Sequence, residues 1–303
     1  MWTLPVLWLI LTVTFGLMHA APGGPWNAQV KGKYWTPGEQ ASFYRRYALD
    51  KPLHVQYVSY LRNALQLDFG YSYYYLNRTP SELILRGLPY SATVGLFGLA
   101  LAVVAGIGVG TLSALRQNSV PDYLSLLAVT VINAVPAFVL GIFLLVLFTS
   151  RLPLVPILWT DWRNYVLPSV TLGASSAAFI ARMTRASILE VVRQDYVRTA
   201  RAKGILERTI NTRHILRNAL IPIVTLMGPA LAGFLTGSVI IETMFNVPGI
   251  GYLFIQSVRN RDYPLILATT TMYTAFITAG NLLVDLTYGL VDPRIRGSLG
   301  RQQ

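Results

Sequence analysis

Long apolar runs separated by short polar segments dominate the pattern of this chain. A helix rises 1.5 Å per residue, so about 20 apolar residues cross the roughly 30 Å hydrocarbon core of a bilayer. The apolar windows of about that length are Trp2–Ala20, Tyr90–Leu115, Tyr123–Ser150, Tyr165–Leu189, Leu220–Glu242 and Leu265–Leu290. The pattern predicts an all-α integral membrane protein with six transmembrane helices.

The first window has the length of a signal peptide, but its flanks argue against cleavage. No Lys or Arg precedes Lys31, and Met18-His19-Ala20 is a poor small-x-small cleavage site. We interpret residues 1–20 as an uncleaved first transmembrane helix. A start codon further upstream would also explain the missing basic flank.

Residues 21–89 form a long segment between the first two windows. Within it, Val55, Val58, Leu61 and Leu65 lie three or four residues apart, which predicts one apolar face of a helix. The tyrosine-rich stretch DFGYSYYYLNR suits a membrane interface. We expect an interfacial helix and a cap over the helix bundle, and a ligand site is the alternative.

Composition supports the membrane class, and charge gives the helices a direction. The chain is 53% hydrophobic and 13% charged, whereas soluble domains carry about 25% charged residues. The net charge of +12 would suit a nucleic-acid partner, but the basic residues lie between apolar runs rather than over a soluble face, so we expect no nucleic acid.

The basic residues of the short loops fall mostly on one side. That side holds Arg116, nine Lys/Arg within Arg182–Arg217, and Arg294, Arg296 and Arg301; the other side's short loops hold Arg151, Arg163, Arg259 and Arg261. By the positive-inside rule, both termini and the loop 182–218 face the cytoplasm. The predicted organisation is a first helix (1–20), an external segment (21–89), a five-helix core (90–290) and a cytoplasmic tail (291–303).

The sequence contains few candidates for catalytic or metal-binding residues. It has no cysteine, and its three histidines are far apart in sequence, so we expect no metal site and no cofactor. It also lacks the nucleotide-binding pattern G-x-x-x-x-G-K-[S/T] and the H-E-x-x-H motif, and we expect no enzymatic activity. The polar and helix-breaking residues inside the windows are candidates for a transport pathway: Asn133, Pro136, Ser175, Ser176, Asn281 and Asp285. Asn133 and Pro136 interrupt the third window and Pro229 interrupts the fifth, and these breaks are equally explained as ordinary kinks.

Small residues recur at four-residue spacing in two windows. Gly98, Ala102, Gly106 and Gly110 lie in the second window, and Gly233 and Gly237 lie in the fifth. In lipid, such stripes allow helix backbones to approach closely. They predict close packing, either within the chain or against a second subunit.

The basic stretch Arg193–Pro222 is predicted to be a helix, a glycine corner and a second helix. Ser187–Lys203 lacks Gly and Pro, Gly204 is a natural helix stop, and Leu206–Asn218 can form the second helix. This arrangement is a rigid handle attached to two membrane helices. The alternative is a solvated loop held on anionic lipid, at about 1 kcal/mol per Lys or Arg.

This stretch resembles the cytoplasmic "EAA" loop of ABC-importer permeases, the binding-protein-dependent transport components. Gly204 takes the place of the family's glycine, and Arg198-Thr199-Ala200 that of Glu-Ala-Ala with only the last alanine kept. Ile221-Pro222 ends the motif later than in the general pattern. DYVRTARAKG and LRNALIP resemble the dipeptide, oligopeptide and nickel branch. LPYSATVGLFGLALA, NAVPAFVLGIFLL, ETMFNVPGIGYLFIQSVRNRDYP and NLLVDLTYGLVDPRIR resemble its B-type subunit, in order along nearly the whole chain.

The resemblance implies the type I importer fold and an ATP-driven importer of the bacterial or archaeal plasma or inner membrane. It implies a heterodimer with a homologous second permease, two ATP-binding subunits and an extracytoplasmic solute-binding protein. Di- or oligopeptides are the expected solutes, with nickel chelates and glycosides as alternatives. The residues expected at the ATPase contact are Ala200, Ala202, Lys203, Gly204, Ile205, Leu206 and Glu207.

Two other classes of protein are the alternatives. A stand-alone secondary transporter or channel would carry several ionisable residues along a pathway, or inverted repeats with broken helices. Glu242 and Asp285 are too few for a proton relay. An integral-membrane enzyme would need a catalytic constellation, and the sequence shows none.

Overall fold

The computed structural model describes residues 3–22, 36–75, 77–156, 159–235 and 237–291, which are helical with connecting turns and contain no strand. The chain forms two compact units. The first comprises Met1–Ser91 and Asn246–Thr278, and the second comprises Ala92–Phe245 and Ala279–Gln303.

The six predicted windows are occupied by helices, and further short helices lie between them. They are α1 (Thr3–Ala20), α2 (Pro37–Arg46), α3 (Leu53–Gln66), α4 (Pro80–Leu115), α5 (Val120–Ala134), α6 (Ala137–Leu145), α7 (Val166–Val192), α8 (Asp195–Ala202), α9 (Glu207–Thr209), α10 (Arg217–Ala219), α11 (Ile221–Leu235), α12 (Val239–Met244), α13 (Ile250–Arg259) and α14 (Tyr263–Val291). A π-helical segment continues α6 over Val146–Arg151, another joins α9 to α10 over Ile210–Leu216, and a 3₁₀ turn (Trp162–Tyr165) precedes α7.

Two of the described helical segments are long and apolar enough to cross a bilayer on their own. They are α4 and the continuous Trp162–Val192, and the bent pair α5–α6 makes a third if it is counted as one span. α1 contributes a shorter apolar helix, Pro5–Ala20. All six predicted windows contain helix, which confirms the all-α membrane fold.

The third and fifth windows are broken. The break in the third lies at Pro136, where the sequence predicted an interruption, whereas α11 continues past Pro229 and the fifth window breaks further along the chain. α5 and α6 meet at an angle of 100°. Pro136 disfavours helical angles in the preceding residue, and Val135 is extended at φ −92° and ψ 124°. In the fifth window α11 ends at Leu235, Gly237 has φ +69°, and the Ser238 side chain caps α12. Glu242 therefore lies on a separate short helix.

In the first unit, α3 packs against α1 and the beginning of α14. Leu11, Ala64 and Leu267 form a buried cluster against which Tyr60 and Leu61 pack. Of the predicted apolar face of α3, Leu61 packs on this cluster, whereas Val58 and Leu65 are 64% and 78% exposed. α3 is apolar on two sides, and only one of them faces α1 and α14.

Asp262 fixes the tyrosine-rich stretch within the same unit. Its buried carboxylate accepts a hydrogen bond from the Ser72 hydroxyl and another from the Tyr73 N–H at 3.0 Å. It also accepts from the Leu265 N–H at 3.3 Å, in the first turn of α14. These bonds attach the stretch DFGYSYYY to the start of that helix.

In the second unit, glycines let α4 and α7 approach closely. A Cβ placed on Gly110 would lie 2.5 Å from the Ala181 carbonyl oxygen, and one on Gly106 would lie 2.7 Å from the Ile180 Cβ. A Cβ on Gly173 would lie 2.4 Å from the Gly98 carbonyl oxygen. The small-residue stripe of α4 therefore packs within the chain.

Candidate functional site

The candidate site is the basic segment that follows α7. The predicted continuous helix Ser187–Lys203 was wrong, because α7 ends at Val192 and α8 begins at Asp195. Gln194 between them is extended, at φ −71° and ψ 147°. The turn brings Val197 into a buried cluster with residues of α7, and this burial overrides the local helix propensity.

The glycine corner is confirmed. Gly204 has φ +72°, its N–H donates to the Arg201 carbonyl at 2.9 Å, and the Ile205 N–H donates to the Ala200 carbonyl at 3.3 Å. These two bonds form a Schellman motif, which satisfies the last carbonyls of α8 and requires a left-handed residue at the corner. Glycine adopts that conformation at little steric cost.

The second predicted helix is also confirmed, with a local change of winding. α9, the π segment and α10 run without interruption over residues 207–219. The Arg201 Nε donates to the Glu207 Oε1 at 2.8 Å across the corner, and the Asn218 Nδ2 donates to the Tyr196 hydroxyl at 3.0 Å. Both bonds tie the second helix back to α8.

A buried apolar cluster, here called the loop cluster, fixes this segment to the membrane helices. Its buried members are Ala114, Ile188, Val197, Ala200, Ile210, Ile215 and Ala219. Ala114 lies near the end of α4 and Ile188 near the end of α7, so both helices contact the segment through the same cluster. This burial supports the rigid handle rather than a solvated loop.

The corner itself faces outward. Leu206 is 77% exposed, and the other exposed residues among the predicted contact positions are Ala202, Lys203, Gly204 and Glu207. Ala200 is buried and Ile205 is half-buried, so they support the corner from beneath. A single exposed leucine is ordinary on a protein surface, and Leu206 gains significance from its place beside the corner.

Comparison with known proteins assigns the chain to a family. The family model described as "Binding-protein-dependent transport system inner membrane component" matches residues 106–297, which include the whole basic segment. The chain belongs to this family. It is therefore a membrane-embedded transport permease, as the resemblance implied.

Relatives of this permease match over nearly their whole length. The chain is 39% identical over 289 residues to the dipeptide transport system permease protein DppB of Bacillus subtilis, with 95% of this chain and 93% of the relative covered. It is 38% identical over 299 residues to the oligopeptide transport system permease protein OppB of Escherichia coli K12, covering 97% and 96%. A solved amino acid ABC transporter shares the fold, with a TM-score of 0.56 and 18% identity over 70% of this chain and 95% of that one.

The predicted pathway residues are not shown to form one site. Asn133 and Pro136 are exposed at the bend between α5 and α6, and Ser175 and Ser176 are half-buried on α7. The Asn133 side chain donates to the Val129 carbonyl of its own helix at 3.1 Å. Asn281 and Asp285 lie on α14, and their side chains fall outside the described part of the structure.

One buried ion pair of the permease was not predicted. Asp122 is 1% exposed and lies 2.8 Å from the Arg185 Nε. The sequence pattern places Asp122 just before the third window and groups Arg185 with the basic loop, so neither was considered an intramembrane charge. The only sequence signal for this ion pair was an acidic residue at the predicted start of the third window. Acidic residues in a first helical turn commonly just interact favourably with the helix dipole, so this signal was weak.

Proposed function

We propose that this permease imports di- and oligopeptides in a complex with a homologous second permease, two ATP-binding subunits and an extracytoplasmic binding protein. The ATP-binding subunits dock on the segment 193–222 and drive the transport cycle through it. The observation that carries this proposal is the loop cluster, which fixes the exposed corner to the ends of α4 and α7.

Peptides are proposed as the solutes because of the named relatives. Dipeptide and oligopeptide permeases of several bacteria are 37–39% identical to this chain over 93–96% of their length. The aligned regions cover 95–97% of this chain and therefore include the basic segment as well as the helices. Nickel chelates and glycosides are the other solutes to be compared in the test.

The coupling mechanism follows from the packing. Energetic coupling between distant sites is carried by packed side chains and rigid secondary elements. Val197 and Ala200 of α8 pack with Ile188 of α7, and the Schellman motif fixes the end of α8. A displacement of the corner by an ATPase subunit therefore displaces the ends of the two helices rather than deforming a flexible loop.

The orientation and the pathway are part of the same proposal. The excess of Lys and Arg in loop 182–218 supports a cytoplasmic location for the loop and for both termini. Irregular backbone within a membrane is tolerated only where protein buries it or where it lines water. The exposed break at Asn133 and Pro136 therefore supports a pathway beside α5 and α6. Ser175, Ser176, Asn281 and Asp285 are proposed as further pathway residues from the sequence alone.

Reconstituted uptake tests the proposed function. Proteoliposomes with both permeases, the ATP-binding subunits and the loaded binding protein should accumulate labelled di- and oligopeptides only with ATP. Nickel chelates and glycosides should not accumulate under the same conditions. The chain alone should neither hydrolyse ATP nor accumulate peptide, and uptake by the chain alone under a proton gradient would identify a secondary transporter instead.

A further inference from the structure

An ion pair joins three helices of the second unit beside the loop cluster. Asp122 lies in the first turn of α5, and Arg185 lies on α7. The Arg185 Nε donates to Asp122 Oδ1 at 2.8 Å, and the Arg185 Nη2 donates to Oδ2 at 2.9 Å. Two parallel hydrogen bonds fix the orientation of both planar groups, which a single ammonium contact does not do.

The carboxylate has two further donors. The Ser113 hydroxyl, near the end of α4, donates to Asp122 Oδ1 at 2.5 Å. The backbone N–H of Asn118, in the turn between α4 and α5, donates to Oδ2 at 2.9 Å. Each carboxylate oxygen therefore accepts two hydrogen bonds, and the buried charge is fully satisfied by groups from α4, α5 and α7.

The ion pair is continuous with the loop cluster along two helices. Ser113 directly precedes Ala114, and Arg185 lies about one turn before Ile188; Ala114 and Ile188 are both buried members of that cluster. The buried members of the cluster come from α4, α7 and the basic segment. At this end of the unit, the ion pair therefore extends the same contact surface to α5.

We propose that Asp122 and Arg185 are positioning residues for transport, which transmit the movement of the basic segment 193–222, here called the coupling segment, to α5. This inference rests on the proposed function. α8 moves the ends of α4 and α7 through apolar contacts, and the oriented ion pair moves the start of α5 with them. Since α5 ends at the 100° bend before α6, the bend follows the state of the coupling segment.

If the ion pair only stabilised the fold, its replacement would have a different effect on transport. Replacing a buried pair with apolar residues of similar volume often preserves or improves stability. If the pair only holds the fold together, such a replacement leaves the coupling of ATP hydrolysis to uptake unchanged. If the pair positions α5, the apolar replacement folds but couples poorly.

The test uses three variants of the complete complex in proteoliposomes. Asp122→Leu with Arg185→Met removes both charges and fills the site, and Arg185→Lys keeps the cation but loses the two-bond geometry. The control is Asp161→Asn with Arg163→Gln, which removes a 2.6 Å ion pair of the same unit whose arginine is 50% exposed. The measured quantities are membrane level, ATP hydrolysis with and without loaded binding protein, and solute imported per ATP.

Asp122→Leu with Arg185→Met, and Arg185→Lys, should both keep basal ATP hydrolysis while the solute imported per ATP falls several-fold. The control should match the parent complex. Arg185→Lys decides the question if the double variant does not accumulate. Parent-like coupling in Arg185→Lys, or in an accumulated double variant, overturns the inference and leaves the proposed function intact. Absence of ATP-dependent uptake by the parent complex refutes the proposed function and this inference together.

Discussion

Gly204 is the residue on which the geometry of the coupling segment depends most directly. Its φ of +72° is a left-handed conformation, and a Cβ at this position would meet no atom within 4 Å. The strain of a substitution therefore comes from the backbone alone. It amounts to about 1–2 kcal/mol for a residue with an ordinary side chain, and Asn tolerates the left-handed region better than most residues.

Gly204→Val should weaken coupling because it strains or shifts the corner. The variant should reach the membrane normally, while peptide uptake and the stimulation of ATP hydrolysis by loaded binding protein both fall. Gly204→Asn is the matched control, and it should retain more of both activities. The measurements are membrane level, uptake and stimulated hydrolysis in proteoliposomes.

The same assay distinguishes the rigid handle from a lipid anchor. Arg193 and Arg213 are exposed, and replacing either one singly should have little effect, since each would contribute only about 1 kcal/mol at a lipid surface. Normal transport by Gly204→Val, together with loss of activity when these arginines are removed, would show that the segment is an electrostatic anchor.

Individual residues differ in how far the sequence predicts their role. Gly204 is predictable because a glycine after a helix-forming run signals a local backbone conformation. The partner of Asp122 is not predictable in this way, because Arg185 lies 63 residues away along the chain. Which charges meet across such a distance depends on helix packing, and no local pattern encodes it.

At the scale of the elements, helix existence is more predictable than helix breaks. The length and hydropathy of the six windows follow from the bilayer, so a single sequence reveals them. Pro136 gave a local signal for the bend after α5. The turn at Arg193 and Gln194 had no comparable signal in the sequence. It is stabilised by the burial of Val197 and Ala200, which depends on tertiary packing. Apolar spacing also does not tell which apolar side of α3 packs against other helices.

The packing of α4 on α7 gives a prediction at this scale. Gly110→Ala should destabilise the permease by about 1–3 kcal/mol, the usual range for overpacking, because its Cβ would lie 2.5 Å from a backbone oxygen. Gly108→Ala is the matched control, since a Cβ there meets nothing within 4 Å. Thermal unfolding in detergent should show a lower midpoint for Gly110→Ala alone. Equal midpoints for the two variants would refute the close packing of α4 on α7.

At the scale of the whole molecule, family membership and local geometry support the same account. The family model covers the basic segment and the helices on either side of it. The second unit contains the exposed corner, the loop cluster and the Asp122–Arg185 pair. The sequence predicted the segment as a handle from its order of helix, glycine and helix. The loop cluster, which makes the handle rigid, could not be predicted from the sequence, because its members come from three separate stretches of the chain.

In the proposed function, the corner at Gly204 contacts an ATP-binding subunit and drives transport. The chain contains no cysteine, so a single cysteine can be placed at Leu206, which is 77% exposed, or at Arg163 as a control. Arg163 belongs to the same unit but to a loop predicted on the external side.

Photo-crosslinking from these two positions in the assembled complex tests this contact. A maleimide photo-crosslinker on Leu206→Cys should attach the permease to an ATP-binding subunit, and the crosslinked complex should lose stimulated ATP hydrolysis and peptide uptake. The same reagent on Arg163→Cys should capture no ATP-binding subunit. Labelling of Leu206→Cys only from outside the cell, or capture of the ATP-binding subunit from Arg163→Cys and not from Leu206→Cys, would contradict the account.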